Sequence, residues 1–448
     1  MSTSQTHAPS ASASLADWLD YQLRVHPRSI ELGLERVAEV WRRLGAPAPA
    51  PVIITIGGTN GKGSTVAFLD AMLAADGKRV GAFTSPHLLR YNERVRVAGR
   101  DVEDAVLIDA FQRIESARTA DSIEPVALTY FEFGTLAALW IFAHAALDVA
   151  LLEVGLGGRL DAVNIVDADA AIVTTVDLDH QDWLGNDRET IGREKAGIFR
   201  HARPAIVGES NPPRSLVAHA RDIGVQLRLF GRDFQFERTD QVRWHWRADD
   251  VALVLPLPHL AAPCQLANAS AAIAALYTLR RRLGWNPQAI AQGIARARIA
   301  ARLQIFSATT DGPELIVDVA HNPQAARVLG EWLRSWPIRG RTLAVFGALS
   351  DKDVRGVVDA LASKFDAWFL AGLDRDSPRG LDAASLGALV GVAAPVVRTA
   401  LSTHADVADA LVAACNHAQI GDRVLAFGSF FVAAAALNFA EARGLLSP

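Results

Sequence analysis

A glycine-rich loop that follows a predicted strand and opens a predicted helix is the feature that most restricts how this chain can fold. Residues 52–56 form a short β-rich run, the loop TIGGTNGKGST begins at Thr55, and apolar residues then recur at helical spacing until Gly77. A strand, a glycine loop and a helix in this order aim backbone N–H groups and a helix N-terminus at an anion. The order therefore predicts a phosphate site at the edge of an α/β sheet.

The spacing of this loop differs from that of the common phosphate loop, G-x-x-x-x-G-K-[ST]. Its first glycine lies one residue too close to Gly61 and Lys62, and Gly63 separates Lys62 from the hydroxyl of Ser64. We expect the backbone N–H groups of residues 58–62 to bind phosphate oxygens, while Lys62 neutralises charge and Ser64 reaches Mg²⁺. A plain glycine-rich turn between strand and helix is the alternative.

The composition favours a small-molecule partner. A net charge of -4 offers no basic field for nucleic acid or for an acidic membrane surface. The most apolar stretch, residues 135–154, contains His144 and Asp148 and is interpreted as a buried helix followed by a strand, not as a membrane span. The two cysteines, Cys264 and Cys415, are too few for a disulfide scaffold, so a reducing cytoplasm is the expected location.

Alternating strand and helix patterns continue beyond the loop. Further strands are expected at residues 80–83, 149–154 and 171–176, and their alternation with helices predicts a mostly parallel sheet covered on both faces. Residues 251–302 are predicted to be helical and end in the arginine-rich run IARARIAARLQ, the approach to a linker. The alternation then restarts in the runs ELIVDVAHNP, TLAVFGALSDKD, AWFLAGL and RVLAFGSFFVAAAALNFA.

Two domains are expected, because 448 residues exceed what one hydrophobic core usually supports. The predicted fold class is α/β: a mostly parallel sheet of the phosphate-loop ATPase type, followed by a smaller Rossmann-like α/β domain. Residues 1–14 are polar and small and predict a disordered tail without a signal peptide. The predicted domains are residues 15–299, which bind ATP, and residues 300–448.

Further segments along the chain carry a resemblance that begins at the loop. The spacing GGTNGKGS resembles that of the Mur ligase superfamily, whose members join a carboxylate to an amine at the expense of ATP. The other segments are TSPHLLRYNERVRV from Thr84, LEVGLGGRLDAVN from Leu152, DLDHQDWLG from Asp177, IGREKAGIF from Ile191, DVAHNP from Asp318 and ALSDKD from Ala348. Together they are similar to the bacterial dihydrofolate synthase/folylpolyglutamate synthase family over about residues 30–430. The resemblance implies the Mur ligase architecture, with a pterin site in the first domain and a ligase domain after it.

The resemblance also implies ATP as co-substrate, two Mg²⁺ sites, and a lysine carbamylated by CO₂ among the metal ligands. The implied catalytic residues are Lys62, Glu153, His180 and Lys195. The implied Mg²⁺ ligands are Ser64, Ser85, Glu153, His180 and carbamylated Lys195. The implied ATP contacts are Thr59, Asn60, Gly61, Lys62, Gly63, Ser64, Asn268, Arg302, Asp318 and His321.

The chemistry of these residue types agrees with the metal roles, but each has a plainer alternative. Glu153 ends an apolar strand beside the loop, where an acid often meets the magnesium of a nucleotide, although such a glutamate can simply face solvent. Carbamylation would give Lys195 anionic oxygen donors suited to Mg²⁺, and it requires a lowered pKa because only a neutral amine reacts with CO₂. An ordinary helix lysine paired with an acid, and a polar core or surface role for His180, are the alternatives.

For the pterin substrate, the resemblance points to three short stretches of the first domain. Tyr130 and Phe131 could supply flat apolar surface, and Glu132 or Asp161 could accept hydrogen bonds from pterin amino and ring N–H groups. A helix that packs its aromatic residues into the core is the alternative. The implied pterin residues are Glu31, Leu32, Gly33, Thr129, Tyr130, Phe131, Glu132, Leu160, Asp161 and Ala162.

The chain departs from the family pattern in two places. Ala300 and Ala301 stand where Pro-Gly usually precedes the arginine that matches Arg302, and Cys264 stands where a histidine often precedes Gln265. Because of these departures, the resemblance does not decide the structure of the joint between the domains or of the adenine pocket. The stretch DSPRG, residues 376–380, matches a family segment and is expected to contact glutamate or ATP if it has a role.

The predicted function is an ADP-forming ligation that proceeds through an acyl phosphate. The resemblance implies that the chain joins dihydropteroate to L-glutamate, giving dihydrofolate, and then extends the γ-linked glutamate tail of reduced folates. A monomer is expected, because two domains already enclose the site and no sequence pattern predicts an oligomer interface. The alternatives are only one of these two activities, or a cell-wall Mur ligase, against which TSPHL and GGRLDAVN argue. A GTPase or kinase would need an N-K-x-D motif or a standard Walker loop, and a non-catalytic nucleotide binder would not need the catalytic set to be intact.

Overall fold

The computed structural model of the chain describes residues 8–10, 12–26, 28, 30–120, 125–306, 312–393 and 400–445. The predicted tail, residues 1–14, lies mostly outside the described residues. The chain divides into two compact units: the first comprises Met1–Leu257 and Leu266–Ala297, and the second comprises Pro258–Gln265 and Arg298–Pro448. Among the described helices, none is long and apolar enough to cross a membrane.

The first unit is built around an eight-stranded sheet. Its helices come both before and after the glycine loop in the sequence. Its strands are β1 Val52–Gly57, β2 Val80–Phe83, β3 Val95–Val97, β4 Arg100–Asp101, β5 Val149–Glu153, β6 Ala170–Val173, β7 Pro204–Val207 and β8 Gln226–Leu229. Its helices are α1 Leu15–Val25, α2 Glu35–Arg43, α3 Lys62–Ala75, α4 Asp104–Arg118, α5 Tyr130–Ala143, α6 Gln181–Leu184, α7 Arg188–Ala196, α8 Arg214–Asp222, α9 Gln265–Thr278, α10 Arg280–Leu283 and α11 Pro287–Arg296. A separate sheet contains β9 Phe234–Arg238, β10 Arg243–Ala248 and β11 Val251–Pro256.

The strand order of the large sheet is β4-β3-β2-β5-β1-β6-β7-β8, and only the β2–β3 and β3–β4 pairs are antiparallel. The central strands β5, β1 and β6 are buried along their whole length, as expected for parallel strands covered on both faces. Because β1 pairs in parallel with β5 and β6, its glycine loop, Glu153 and Thr174 emerge at the same edge of the sheet. This edge is where ligands bind in sheets of this kind.

The second unit contains a smaller doubly wound sheet. Its strands are β12 Gln304–Phe306, β13 Glu314–Val317, β14 Thr342–Phe346, β15 Ala367–Ala371, β16 Leu401–His404 and β17 Arg423–Phe427, and its helices are α12 Pro323–Ser335, α13 Val354–Leu361, α14 Ala383–Ala393, α15 Val407–His417 and α16 Phe430–Ala442. The order is β12-β13-β17-β14-β15-β16, parallel except for the β12–β13 pair. Trp332, Phe346, Trp368 and Phe427 fill its core. Two mostly parallel sheets with helices between their strands confirm the predicted α/β fold class.

The prediction that residues 251–302 are helical is wrong at its start. Residues 251–256 form β11, which pairs with β10 in an antiparallel hairpin, and helix begins only at Gln265. Leu253 and Leu255 are buried, whereas the equally apolar Val254 is 60% exposed. An apolar residue on the solvent face hid the two-residue period that identifies a strand. The strand predicted at residues 171–176 also ends early, because β6 stops at Val173.

Candidate active site

The glycine loop between β1 and α3 is shaped by contacts that leave no room for side chains. Gly58 and Gly61 have φ angles of 142° and 89°, in the region that favours glycine. A Cβ at Gly58 would lie 1.9 Å from Oγ1 of Thr174, and one at Gly61 would lie 2.4 Å from Oδ1 of Asn268. The predicted ATP contact Asn268 therefore lies directly against the loop. The sequence alone could not show this, because Asn268 lies two hundred residues downstream.

Hydrogen bonds fix the loop to the end of β6. The Thr59 N–H donates to the Thr175 carbonyl at 2.7 Å, and the Asn60 N–H donates to the Thr175 hydroxyl at 3.2 Å. The Lys62 ammonium donates to the carbonyls of Gly58 and Thr59, at 3.1 and 3.3 Å. A backbone cradle, a helix N-terminus and a lysine thus meet at one place, which is the geometry that binds phosphate oxygens.

The predicted metal ligands Ser85 and Glu153 lie together at the ends of neighbouring parallel strands. Glu153 is the last residue of β5 and is 5% exposed, and its Oε2 accepts a hydrogen bond from the Ser85 N–H at 3.3 Å. Ser64, in the first turn of α3, is 2% exposed. Carboxylate and hydroxyl oxygens are hard donors that suit Mg²⁺, so these residues fit the implied metal.

Lys195 is a buried cation on α7, 4% exposed. Burial and, to a smaller extent, the neighbouring Lys62 lower its pKa to about 7, although Asp179 and Asp161 oppose the shift. An amine with this pKa is in large part neutral near pH 7. The site thus contains two lysines and two carboxylates close enough to influence one another.

His180 lies at the start of the short helix α6 with a φ of 51°, a strained conformation for a residue with a side chain. Its Nε2 lies 4.0 Å from Oδ1 of Asp179, and its side chain is one-third exposed. Asp179 also acts electrostatically on Lys195, so His180 and Lys195 share this aspartate as a neighbour. Within the described residues, no cluster of three or more His, Cys, Asp or Glu side chains is arranged to hold a metal, and the implied ligand set contains only two residues of those types.

The structure brings the three predicted pterin stretches together. The Gly33 N–H donates to the Leu160 carbonyl at 3.4 Å, which joins the first stretch to the third. Arg36 donates to Glu31 at 2.8 Å and to Glu132 at 2.9 Å, which joins the first stretch to the second. Arg36 was missed at the sequence level, because nothing in α2 indicates a partner 96 residues away.

Both carboxylates considered for the pterin already hold backbone N–H groups. Glu132 forms a capping box with Thr129 at the start of α5, accepting from the Thr129 N–H at 2.8 Å. Asp161 accepts from the N–H groups of Leu156 and Val163, at 2.8 and 3.1 Å. Burial raises the pKa of Asp161 to about 6. Each oxygen keeps a second lone pair, so recognition and capping are compatible.

The aromatic residues of the second pterin stretch have different neighbours. Phe131 lies 5.9 Å from Phe83, ring centre to ring centre, in the first unit's core. Tyr130 meets Tyr91 edge to face at 5.7 Å, and the Arg94 guanidinium lies 5.5 Å from the Tyr130 ring centre. Arg94 is a second residue that sequence reasoning missed, although the quoted segment TSPHLLRYNERVRV contains it.

In the second unit, the predicted ATP residues Arg302, Asp318 and His321 form one group. The guanidinium of Arg302 lies 5.6 Å from the Phe430 ring centre, and the His321 ring lies 6.3 Å from the same ring. Burial raises the pKa of Asp318, and Arg302 and His321 act against this shift. The thiol of Cys264 is near Asp318, and burial raises its pKa to about 12. The Cys264 thiol is therefore protonated and unreactive at neutral pH.

Residues 376–380 form a tight turn beside the ALSDKD loop. The Gly380 N–H donates to the Ser377 carbonyl at 2.8 Å, and the Ser350 N–H donates to the Arg379 carbonyl at 2.8 Å. A Cβ at Gly380 would lie 1.8 Å from the Leu373 carbonyl oxygen, so only glycine fits. These contacts hold residues 376–380 in a fixed turn.

Comparison with known proteins identifies the family. The chain matches the descriptions "Mur ligase middle domain" over residues 56–276 and "Mur ligase, glutamate ligase domain" over residues 301–430. It is 45% identical to the dihydrofolate synthase/folylpolyglutamate synthase of Escherichia coli K12, over 97% of both chains. It is 38% identical to the protein of the same name from Haemophilus influenzae, over 95% of this chain and 97% of the relative.

Solved structures agree. E. coli FolC in complex with DHPP and ADP has a TM-score of 0.88 at 45% identity and covers 98% of this chain and 100% of its own. A bifunctional folylpolyglutamate synthase/dihydrofolate synthase with Mn, AMPPNP and L-glutamate has a TM-score of 0.86 at 44% identity, covering 97% and 100%. Folylpolyglutamate synthase of Mycobacterium tuberculosis with ADP is more distant, at 28% identity and a TM-score of 0.82 over 95% and 97%. The resemblance seen in the sequence is thereby confirmed, and the chain belongs to the dihydrofolate synthase/folylpolyglutamate synthase family of Mur ligases.

Proposed function

We propose that this protein joins L-glutamate to dihydropteroate, giving dihydrofolate, and adds further γ-linked glutamates to reduced folates, with ATP converted to ADP and phosphate. The observation that carries the proposal is the meeting of the three pterin stretches in the unit that contains the glycine loop. Gly33 bonds to Leu160, and Arg36 bridges Glu31 and Glu132. Substrate residues and phosphate residues thus belong to one folded unit, consisting mainly of residues 15–299, and residues 300–448 form the ligase domain.

ATP binding is the first step. The backbone of residues 58–64 holds the phosphates, and Lys62 moves from the carbonyls of Gly58 and Thr59 to the phosphate oxygens. Further ATP contacts come from Asn268, Arg302, Asp318 and His321. The position of Asn268 against Gly61 supports its part in this set.

Ser64, Ser85, Glu153, His180 and carbamylated Lys195 would hold magnesium, which would supply positive charge against the charge of the transferred phosphoryl group. The burial of Glu153 beside Ser85 supports this ligand set. Lys62, in the same site, adds a positive charge that does not depend on bound metal.

The lowered pKa of Lys195 supports its carbamylation. A pKa of about 7 leaves much of the amine neutral, and only the neutral amine attacks CO₂. The lysine nitrogen forms a bond to the carbon of CO₂ and releases one proton, which gives a carbamate anion. This replaces a buried neutral amine with a buried anion next to Lys62.

The chemistry then proceeds in two displacements. A carboxylate oxygen of the pteroate or folate attacks the γ-phosphorus, the bond from phosphorus to the bridging oxygen of ADP breaks, and ADP leaves. The amine nitrogen of L-glutamate attacks the acyl carbon, the carbon–oxygen bond to phosphate breaks, and the nitrogen loses a proton. The protein's part is to align the reactants and neutralise charge, because acyl phosphates hydrolyse in water.

The test is ADP release by the purified protein with Mg²⁺, ATP and L-glutamate, using dihydropteroate or tetrahydrofolate as acceptor, with products identified by mass. Turnover with both acceptors is expected, together with its loss in Lys62→Met. Turnover with one acceptor only would restrict the function to that step. ADP release without any ligated product, or ligation of a UDP-linked sugar substrate, would overturn the proposal.

We further propose that the protein acts as a monomer in the cytoplasm. Its two cysteines, Cys264 and Cys415, are both free thiols, as in a reducing compartment. Light scattering at assay concentrations tests the oligomeric state, and a dimer mass would contradict it.

A further inference from the structure

Arg94 carries a positive charge that no carboxylate in the described part of the chain offsets by an ion pair. Its Nε donates to Nδ1 of His87 at 2.8 Å, so this ring nitrogen carries no proton and the partner adds no negative charge. The terminal nitrogens of Arg94, Nη1 and Nη2, have no hydrogen-bond partner among the residues that the structure describes. The side chain is half-buried, so this pair of donors is available to a ligand.

Two tyrosine rings hold the Arg94 guanidinium in place. Its carbon lies 5.3 Å from the ring centre of Tyr91 and 5.5 Å from that of Tyr130. Tyr91 is itself fixed, since it is 4% exposed and meets the His87 ring edge to face at 5.7 Å. Contact with aromatic faces favours the charged guanidinium, and it restricts the side chain before any ligand arrives. Such a side chain loses little conformational entropy on binding, unlike a mobile surface arginine.

Arg94 lies between the predicted pterin residues and the predicted metal ligands of the first unit. Tyr130, which contacts its guanidinium, belongs to the pterin stretch 129–132. The Arg94 carbonyl accepts from the Thr84 N–H at 2.9 Å, and the N–H of the next residue, Ser85, donates to Glu153 at 3.3 Å. A substrate whose pterin contacts residues 129–132 and whose other end approaches the metal ligands would place that end beside the Arg94 guanidinium.

We propose that Nη1 and Nη2 of Arg94 bind the acceptor carboxylate that receives the γ-phosphoryl group. This inference rests on the proposed function and assigns a residue to its reacting group. The parallel N–H groups of a guanidinium match the two oxygens of a carboxylate, and the positive charge offsets the repulsion between the carboxylate and the triphosphate.

The same contact serves both displacements. One carboxylate oxygen attacks the γ-phosphorus as the bond to ADP breaks, and the other oxygen keeps its hydrogen bond to Arg94. When the amine of L-glutamate then attacks the acyl carbon, negative charge develops on that second oxygen, where the guanidinium stabilises it.

The experiment compares dihydropteroate with its decarboxylated analogue, in which hydrogen replaces the carboxylate, as ligands of wild type and of Arg94→Met. Methionine keeps an unbranched apolar stem against Tyr91 and Tyr130 but has no N–H donors. Calorimetric titration with Mg²⁺ and a non-hydrolysable ATP analogue gives each Kd. We expect wild type to bind dihydropteroate about thirtyfold more tightly than the analogue, and Arg94→Met to bind the two compounds about equally.

Arg90→Met is the matched control, because Arg90 lies in the same loop and its side chain is 69% exposed. This control should keep the thirtyfold preference. A merely structural role for Arg94 would weaken the binding of both compounds alike and leave their ratio unchanged. A retained preference in Arg94→Met, or the absence of a preference in wild type, would therefore overturn the proposal.

Two further readouts separate this inference from its neighbours. A raised Kd for the ATP analogue alone, with the preference for dihydropteroate retained in Arg94→Met, would assign the guanidinium to the triphosphate and overturn the proposal. Failure of wild type to ligate either acceptor would overturn the proposed function. Ligation by wild type, together with an unchanged preference in Arg94→Met, would overturn only the role of Arg94.

Discussion

Each unit contains a backbone segment with positive φ among its predicted nucleotide residues, but the two segments are supported in different ways. In the first unit the loop uses Gly58 and Gly61, where a Cβ would collide with Thr174 or Asn268. In the second unit Ala301 and Leu303 carry side chains in the same region of φ, and a carboxylate holds them. Glycine is required where a side chain has no room, whereas a hydrogen-bonding partner suffices where only the dihedral angle is unfavourable.

The largest expected effect tests the steric half of this comparison. Gly61→Ala adds a methyl group at a φ of 89° and within 2.4 Å of the Asn268 side chain, so the loop must open or Asn268 must move. We expect ATP binding to weaken by about 100-fold or more, from strain and overpacking together. Calorimetric titration with ATP and Mg²⁺ measures it.

Gly77→Ala is the control for this substitution. Gly77 has a φ of 76° and is exposed, and a Cβ there would meet nothing within 4 Å. The control therefore introduces similar backbone strain without a collision. Weakening of ATP binding in both variants to the same extent would contradict the steric explanation.

The next prediction concerns a backbone segment of the first unit that is also held by a carboxylate, an arrangement called here a carboxylate clamp. Glu93 accepts hydrogen bonds at 2.7 Å from three successive N–H groups, those of Leu88, Leu89 and Arg90, in the loop that carries Ser85. Glu93→Ala should displace the loop that carries Ser85 and lower kcat about thirtyfold. This corresponds to about 2 kcal/mol, the contribution of one hydrogen bond to a charged group. Steady-state ADP release measures it.

Glu103→Ala serves as its control, because Glu103 is exposed at the start of α4 and makes no capping hydrogen bond through its side chain. Its kcat should equal that of the wild type. A kcat for Glu93→Ala within twofold of wild type would show that the loop holds its shape without the clamp.

A third prediction concerns the buried ionisable groups. The Asp318 carboxylate accepts two backbone hydrogen bonds, whereas the Lys195 amine lies near Lys62, which disfavours its charged form. Lys195 has a pKa of about 7 when folded and an ordinary value of 10.5, so between these pH values the unfolded state binds more protons. The free energy of unfolding must then rise with pH through this window. The destabilisation that Lys195 causes has its full size below about pH 7. Wild type minus Lys195→Met should show a rise of about 1 kcal/mol per pH unit, below the 1.4 kcal/mol limit for one proton.

Urea unfolding at pH 7, 8 and 9 in CO₂-free buffer measures this difference, because other groups titrate alike in both proteins. A difference that is flat across these three pH values would mean that Lys195 keeps an ordinary pKa when folded. Carbamylation would then lack the support that it draws from burial.

The smallest expected effect comes from backbone strain alone, at a residue where no side chain collides and no carboxylate holds the backbone. Ala202 is exposed with a φ of 54°, so Ala202→Gly removes strain and little packing. We expect stabilisation of about 0.5 kcal/mol, because the gain in the folded state is partly offset by the greater freedom of glycine in the unfolded chain. A lower midpoint in thermal unfolding would contradict it.

The sequence predicted those parts of the fold that depend on local patterns. The β1–loop–α3 order was correct because β-branched residues, glycines and helical spacing follow one another without interruption. The sheet of β9, β10 and β11 was missed, since Trp244 and Trp246 face the core while Val254 is apolar and exposed. Strand pairing of this kind depends on tertiary contacts, which a single sequence does not display.

The sequence predicted candidate site residues by their type, but not the contacts between them. Quoted segments led to Ser85 and Glu153, which the structure joins by one hydrogen bond. No local signal revealed that Arg36 bridges residues 31 and 132, or that Asp318 supports Leu303. Arg36 and Glu132 lie 96 residues apart, and Asp318 and Leu303 lie 15 apart, so neither pairing follows from a helix or strand period. Assignment of roles within the site remains a prediction to be tested by the variants above.

The eight-residue segment Pro258–Gln265 belongs to the second unit although residues of the first unit flank it on both sides. The polypeptide therefore passes between the units three times, and Ala262 contributes to the second unit's core. A gene fragment that ends near residue 297 would carry this segment without its partners, and a fragment that begins there would leave a gap in the remaining core. Neither unit can be separated from the other by cutting the gene once, so insertions, fusions and split reporters are better placed at surface loops within a unit.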